Sequence, residues 1–129
     1  MLVVPEFEQH TLGAFVAADE LRRAGIWARV GLLISAEEVC DLLRANHFAM
    51  LGLSIGSRDS IDQAAEFVKY IRNNMDIVPP IVLSGNVVDR LGDATSQTGA
   101  DFVVSTAQEA IDRCGLETAA DHDLREVEA

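Results

Sequence analysis

Short apolar runs and amphipathic stretches alternate from one end of the chain to the other, and most boundaries carry a start or stop signal. Leu2 to Val4 predicts a first strand. The helix "TLGAFVAADELRRAG" follows and ends at Gly25, since glycine readily takes the left-handed backbone that closes a helix. "IWARVGLL" predicts a second strand. Ser35 then caps "AEEVCDLLRAN", and Glu38 three residues on completes a capping box. "FAMLGLSI" is a continuous apolar run, the pattern of a strand buried on both faces of a parallel sheet. From about Arg58 to Asn74, Ile61, Ala65, Val68 and Ile71 recur at helical spacing and predict one buried face. Pro79 and Pro80 interrupt the chain before a fourth strand, "IVLSG". A weaker helix, "VVDRLGDATSQTG", leads to a fifth strand, "DFVVS", and a last helix, "TAQEAIDRCG".

Strands alternating with helices of this length form βαβ units, whose right-handed crossovers build a parallel sheet covered on both faces. The expected fold is α/β: a flavodoxin-like, doubly wound sheet of five strands in the order 2-1-3-4-5. In such sheets ligands bind outside the carboxyl ends of the strands, beside the switch point between strands 1 and 3. That rule selects three loops, "PEFEQHTLG", "SIGSRDS" and "SGNVVD". All are rich in small and polar residues, which let a bulky ligand approach the backbone and offer hydroxyls to it.

Composition narrows the function. At 129 residues, 49% of them hydrophobic and 24% charged, the chain fits one globular domain with a single core. The domain is expected over residues 1–116, with an acidic, flexible tail over 117–129. A formal net charge of −11 repels phosphate backbones, so direct nucleic-acid binding is not expected and any regulatory role would run through a protein partner. Two cysteines, Cys40 and Cys114, make no disulfide framework, and no run approaches the length needed to span a bilayer. With no signal peptide pattern at the start, a cytoplasmic, membrane-free protein is expected.

The loops carry a resemblance. Cobalamin-binding domains of the methionine synthase and mutase type carry Asp-x-His-x-x-Gly, then Ser-x-Leu about forty residues on, then Gly-Gly a little under thirty residues later. This chain is similar, with Glu8-x-His10-x-x-Gly13, Ser54-Ile55-Gly56 and Gly85-Asn86 in the same order and spacing. Glu8 stands for the usual Asp, Gly56 for Leu and Asn86 for the second Gly. These departures, with "HTLGAFVAADELRRAG" and a closing "TGAD", resemble more closely a regulatory branch: the AerR- and PpaA-type antirepressors of purple photosynthetic bacteria and the sensor domain of AppA.

The resemblance implies a corrin held from below, with the cofactor's own base displaced from cobalt and His10 as lower axial ligand. Glu8 would orient and polarise His10. Thr11 and Gly13 would lie against the corrin edge or tail, Ser54 would bond the displaced base, and Gly56, Ser84, Gly85 and Asn86 would line the slot for the nucleotide tail. Some members of the branch are described as haem sensors, so haem is the alternative cofactor; His10 would still be axial, but a tail-less porphyrin gives Ser54 and Gly85 no reason for their spacing. The chain starts at the first strand, so an upper corrin face without a helical cap is expected, which suits a sensor better than an enzyme. The function implied is a non-enzymatic sensor, responding to light or redox, that modulates a transcriptional repressor by contact. A cofactor-carrying module of a methyltransferase or mutase is the alternative. A phosphoacceptor receiver domain shares the fold, but its strand 3 ends in aspartate and this one ends in Ser54.

Read without the resemblance, these residues have plainer roles. A histidine at a helix start can serve as a cap, and Glu8 suits the helix dipole. Ser54 can satisfy local backbone, and Gly85 and Asn86 are common turn residues. His47 is placed to cap the second helix, Trp27 to cover the edge of strand 2, and the cysteines to pack in or beside the core.

Overall fold

A computed structural model describes residues 1–7, 12–56, 60–85 and 94–118 of the chain. Strands and helices alternate throughout: β1 (Leu2–Pro5), α1 (Leu12–Arg23), β2 (Val30–Ile34), α2 (Ala36–Ala45), β3 (Leu51–Ser54), α3 (Ile61–Asn74), β4 (Ile81–Ser84), α4 (Ala94–Thr98), β5 (Phe102–Val103) and α5 (Ala107–Cys114). The five strands make one parallel sheet in the order β2-β1-β3-β4-β5, as the alternation predicts.

Side chains alternate across a strand, so the apolar runs supply two cores at once. On one face Val3, Leu51, Leu53, Ile55, Ile81 and Leu83 pack against Val39, Phe67, Val68 and Ile71 of α2 and α3. On the other, Leu2, Met50, Val82 and Val104 meet Ala18 and Leu21 of α1 and Ala110 and Ile111 of α5. Each fully buried Leu, Ile or Val contributes about 1.5–3 kcal/mol, so these two layers dominate stability. Among the described residues no helix is long and apolar enough to cross a membrane.

Local signals explain most boundaries. Ser35 Oγ accepts from the backbone N–H of Glu38 at 3.1 Å, and Glu38 Oε1 accepts from that of Ser35 at 3.3 Å, so the predicted capping box is formed. Gly25, just beyond α1, has φ +84°. The β3–β4 ladder starts only at Leu51 and Ile81, later than the apolar run from Phe48 suggests. Pro79 and Pro80 have no N–H to donate, and Leu51 N reaches back to the Pro80 carbonyl at 2.9 Å. At the sheet's outer edge, the β1–β2 register slips between Val4 and Pro5, opposite Leu33, whose φ of 54° is a left-handed conformation costing roughly 1 kcal/mol or more.

Several local expectations are corrected. In α3 the buried stripe is Ile61, Ala64, Phe67, Val68 and Ile71, so Ala64 rather than Ala65 faces the core. The helix expected from Arg58 is described from Ile61, with residues 57–59 outside the described residues. The C-cap of α2 is Asn46, whose backbone N–H and side-chain amide both donate to the Leu42 carbonyl, and not His47. Trp27 covers nothing, being 88% exposed. Of the helix expected over 87–99, the described part is Ala94–Thr98, and β5 is two residues long.

The "TGAD" stretch has a structural role. Gly99 turns the chain at φ +79°, and its carbonyl accepts from Arg72 of α3. Asp101 then accepts from Ile81 N at 2.8 Å and pairs with Arg72 at 3.2 Å, tying the start of β4 to α3 and β5. Cys40 is buried in the core, as expected, and Cys114 is half-buried at its margin. Burial pushes both thiols up, and for Cys114 the Asp101 carboxylate adds to the effect.

Candidate functional site

A cavity of about 660 Å³ opens on the α1/α5 face of the sheet, at the carboxyl ends of β3 and β4. This is within the range of about 300–1,000 Å³ typical of small-molecule sites. Two further hollows, of about 820 and 610 Å³, lie elsewhere, one at the amino ends of the strands beside Pro79 and Pro80, one along the outer side of α3. The first lies at the opposite end of the sheet from the carboxyl edge where a doubly wound sheet binds ligands; the second also touches Glu6 and Phe7 just after β1, but on the α2/α3 face and away from Ser54 and Ser84.

The floor is a row of neighbours in register, Leu2 of β1, Gly52 of β3 and Val82 of β4, flanked by Met50 and Val104. One step towards the carboxyl ends, on the same face by the two-residue period, Ser54 and Ser84 stand side by side in register. Ser105 and Thr106 continue this polar rim at the start of α5. Thr106 caps α5, its hydroxyl accepting from Glu109 N at 3.1 Å. One wall is a stripe on α1, Gly13, Val16, Ala17, Glu20 and Leu21, at the i, i+3, i+4, i+7, i+8 spacing of one helix face. Ala107 and Ala110 of α5 form the other.

Small residues line this space, and three glycines are there for different reasons. A Cβ at Gly13 would meet nothing within 4 Å, so only empty volume lies beside it. A Cβ at Gly52 would come within 2.7 Å of Leu2 Cδ2, because the Leu2 side chain leans across the glycine. A Cβ at Gly85, with φ +137°, would come within 1.8 Å of the Ile55 carbonyl oxygen. Gly85 is therefore demanded by close approach of two backbone segments, whether or not a ligand is present.

Of the residues singled out from the sequence, Gly13, Ser54, Ser84 and Gly85 come together around this cavity. Gly56, half-buried, does not line it. Glu8, His10, Thr11 and Asn86 lie outside the described residues, so the expected axial histidine and its partner are not placed. Among the described residues, neither Ser54 nor Ser84 uses its hydroxyl in a hydrogen bond. Sequence reasoning missed the floor and walls: Leu2, Met50, Gly52, Val82, Ala17 and Ala110. The available signal was an isolated glycine inside a buried strand, which marks a close approach.

Fold and cavity define a flavodoxin-like α/β domain with an open slot at the carboxyl edge of its sheet. No family model matches the chain. A protein of Rhodobacter capsulatus, the uncharacterised 20.5 kDa protein of the bchF-crtJ intergenic region, is 31% identical over 105 residues, 81% of this chain and 55% of that protein. The crystal structure of a novel cobalamin-binding protein from Desulfitobacterium hafniense DCB-2 superposes with a TM-score of 0.71 at 18% identity, over 88% of this chain and 56% of that one. The chain thus spans a little over half the length of each. The likeness to the solved structure establishes the shared fold.

Proposed function

We propose that this domain binds cobalamin with its nucleotide tail in the α1/α5 cavity and His10 as lower axial ligand. The observation that carries this reading is the cavity itself, with an apolar floor, two serine hydroxyls at its rim and a glycine, Gly13, where a side chain would project into the space. A flat tetrapyrrole lying over the loops would leave such a slot without an occupant, so the slot favours a tail-bearing corrin over haem. The cobalamin-binding protein from Desulfitobacterium hafniense, of the same fold, supports the reading.

The bound corrin would supply a cobalt centre whose upper ligand responds to light or redox. The chain's residues would hold it: His10 would donate a neutral imidazole nitrogen, and Glu8 would accept from the other ring nitrogen and raise the donor's basicity. Ser54 and Ser84 offer hydroxyls to the polar edge of the displaced base, and the apolar walls exclude water from it. Thr11 and Asn86, which lie outside the described residues, would also contact the cofactor, as the motif resemblance implies. The function we infer is sensory and non-enzymatic, with ligand-dependent movement of the β1–α1 loop altering contact with a transcriptional regulator. Support for that regulatory branch comes from the "HTLGAFVAADELRRAG" resemblance and from the relative in the bchF-crtJ region.

Titration with hydroxocobalamin, followed by absorption, tests the binding. The wild type is expected to bind and to show a histidine-ligated spectrum. His10→Ala is expected to lose that spectrum and to bind at least tenfold more weakly, about 1.4 kcal/mol. Identical titrations for the two proteins would contradict the axial role.

A further inference from the structure

Among the described residues, the slot's buried part is entirely apolar. Its lining residues that are closed to solvent are Leu2, Leu21, Met50, Val82, Val104 and Ala110, together with Gly52. Every polar side chain of the lining, Glu20, Ser54, Ser84, Ser105 and Thr106, is exposed or half-exposed. The backbone of the floor is committed as well. Gly52 N donates to the Met1 carbonyl at 2.8 Å, Ile55 N to that of Ser84 at 2.8 Å, and Val104 N to that of Leu83 at 3.0 Å. A base entering from the rim therefore meets hydroxyls first and then only hydrocarbon.

We infer that the slot selects corrinoids by their lower base, accepting a dimethylbenzimidazole and discriminating against adenine; this rests on the cobalamin reading above. Displaced from the metal, either base frees the ring nitrogen it had given to cobalt, and the Ser54 and Ser84 rim can serve that atom. The far edges differ. Dimethylbenzimidazole ends in two methyl groups, which suit Leu2, Met50 and Val82. Adenine ends in an exocyclic amine and ring nitrogens that lose water and find no partner among these residues. Unpaired buried polar groups are what give binding sites their largest discrimination. Ala110 faces this region from α5. A serine there can bond the carbonyl four residues back while the slot is empty, and then turn its hydroxyl to the amine of adenine.

The test is a set of titrations of the wild-type chain with three corrinoids: hydroxocobalamin, its adenine-bearing analogue, and cobinamide, which has no nucleotide tail. The expected order is cobalamin tightest, with the adenine form at least tenfold weaker. Ala110→Ser, checked for unchanged circular dichroism, is expected to narrow that gap several-fold by improving the adenine form. Equal affinity for the two complete corrinoids, both tighter than cobinamide, would overturn the selectivity and leave the tail-binding reading standing. Equal affinity for all three, or no binding by any, would overturn the reading and the selectivity together.

Discussion

Replacing Gly85 with alanine is expected to destabilise the fold by more than about 3 kcal/mol, enough to leave a marginal domain largely unfolded. The added methyl would lie 1.8 Å from the Ile55 carbonyl oxygen and 2.7 Å from its carbon. Both are backbone atoms of a residue with no solvent exposure, so no flexible side chain can swing away. Relief requires β3 and β4 to part at their carboxyl ends, which breaks the 2.8 Å bond from Ile55 N to the Ser84 carbonyl. It also moves Ser54 and Ser84, the paired hydroxyls of the rim. Glycine-to-alanine changes gain about 0.4–1 kcal/mol from reduced freedom of the unfolded chain where the native backbone tolerates them. With φ at +137° and this overlap, that gain is outweighed. Urea unfolding followed by circular dichroism measures the effect; a midpoint close to wild type would contradict the close approach.

Gly13→Leu is expected to do the opposite: keep or raise stability and abolish ligand binding. Gly13 is the second residue of α1, where leucine is a better helix former by most of the roughly 1 kcal/mol that separates glycine from alanine. Nothing within 4 Å obstructs its Cβ, and the position belongs to the stripe of α1 that walls the cavity. A leucine there fills volume that the ligand's tail would need, so cobalamin affinity should fall by at least about a hundredfold, roughly 2.7 kcal/mol. Thermal melting and titration of the same sample check both halves. A well-folded variant with undiminished affinity would place the ligand elsewhere.

These two glycines belong to one sequence motif set, yet the structure separates their causes. Gly85 is fixed by the fold, so its presence alone says little about a ligand. Gly13 has no fold-level reason to lack a side chain at that spot, which makes it the more informative of the two. Spacing alone could not distinguish them, because the atom that excludes a side chain at position 85 belongs to Ile55, thirty residues earlier.

The topology was legible because each strand is a compact apolar run and each helix carries a local signal, such as the Ser35–Glu38 box or the glycine after α1. Finer features depended on partners. Whether Ala64 or Ala65 faces inwards turns on how α3 lies on the sheet, a rotation that a stripe of four residues defines only loosely. The start of the β3 ladder depended on the prolines just before its neighbour β4. The "TGAD" stretch reads as a family feature in sequence, whereas in the fold its aspartate latches β4 to α3. The rim of the candidate site was visible as Ser54, Ser84 and the glycines. Its floor was not, since Leu2, Met50 and Val82 look like any other core residues until the space above them is seen.

The central claim is a cobalt ion ligated from below by His10 while the tail occupies the cavity. Electron paramagnetic resonance of the protein loaded with cob(II)alamin tests it most directly, because the unpaired electron points along the axial bond and each cobalt line is split by the lower nitrogen. Protein grown with nitrogen-15 histidine should convert the triplet splitting to a doublet, and His10→Ala should abolish the doublet, excluding His47 and His122 as its source. A triplet unchanged by the label would show that the cofactor's own base still holds the metal and would contradict the account.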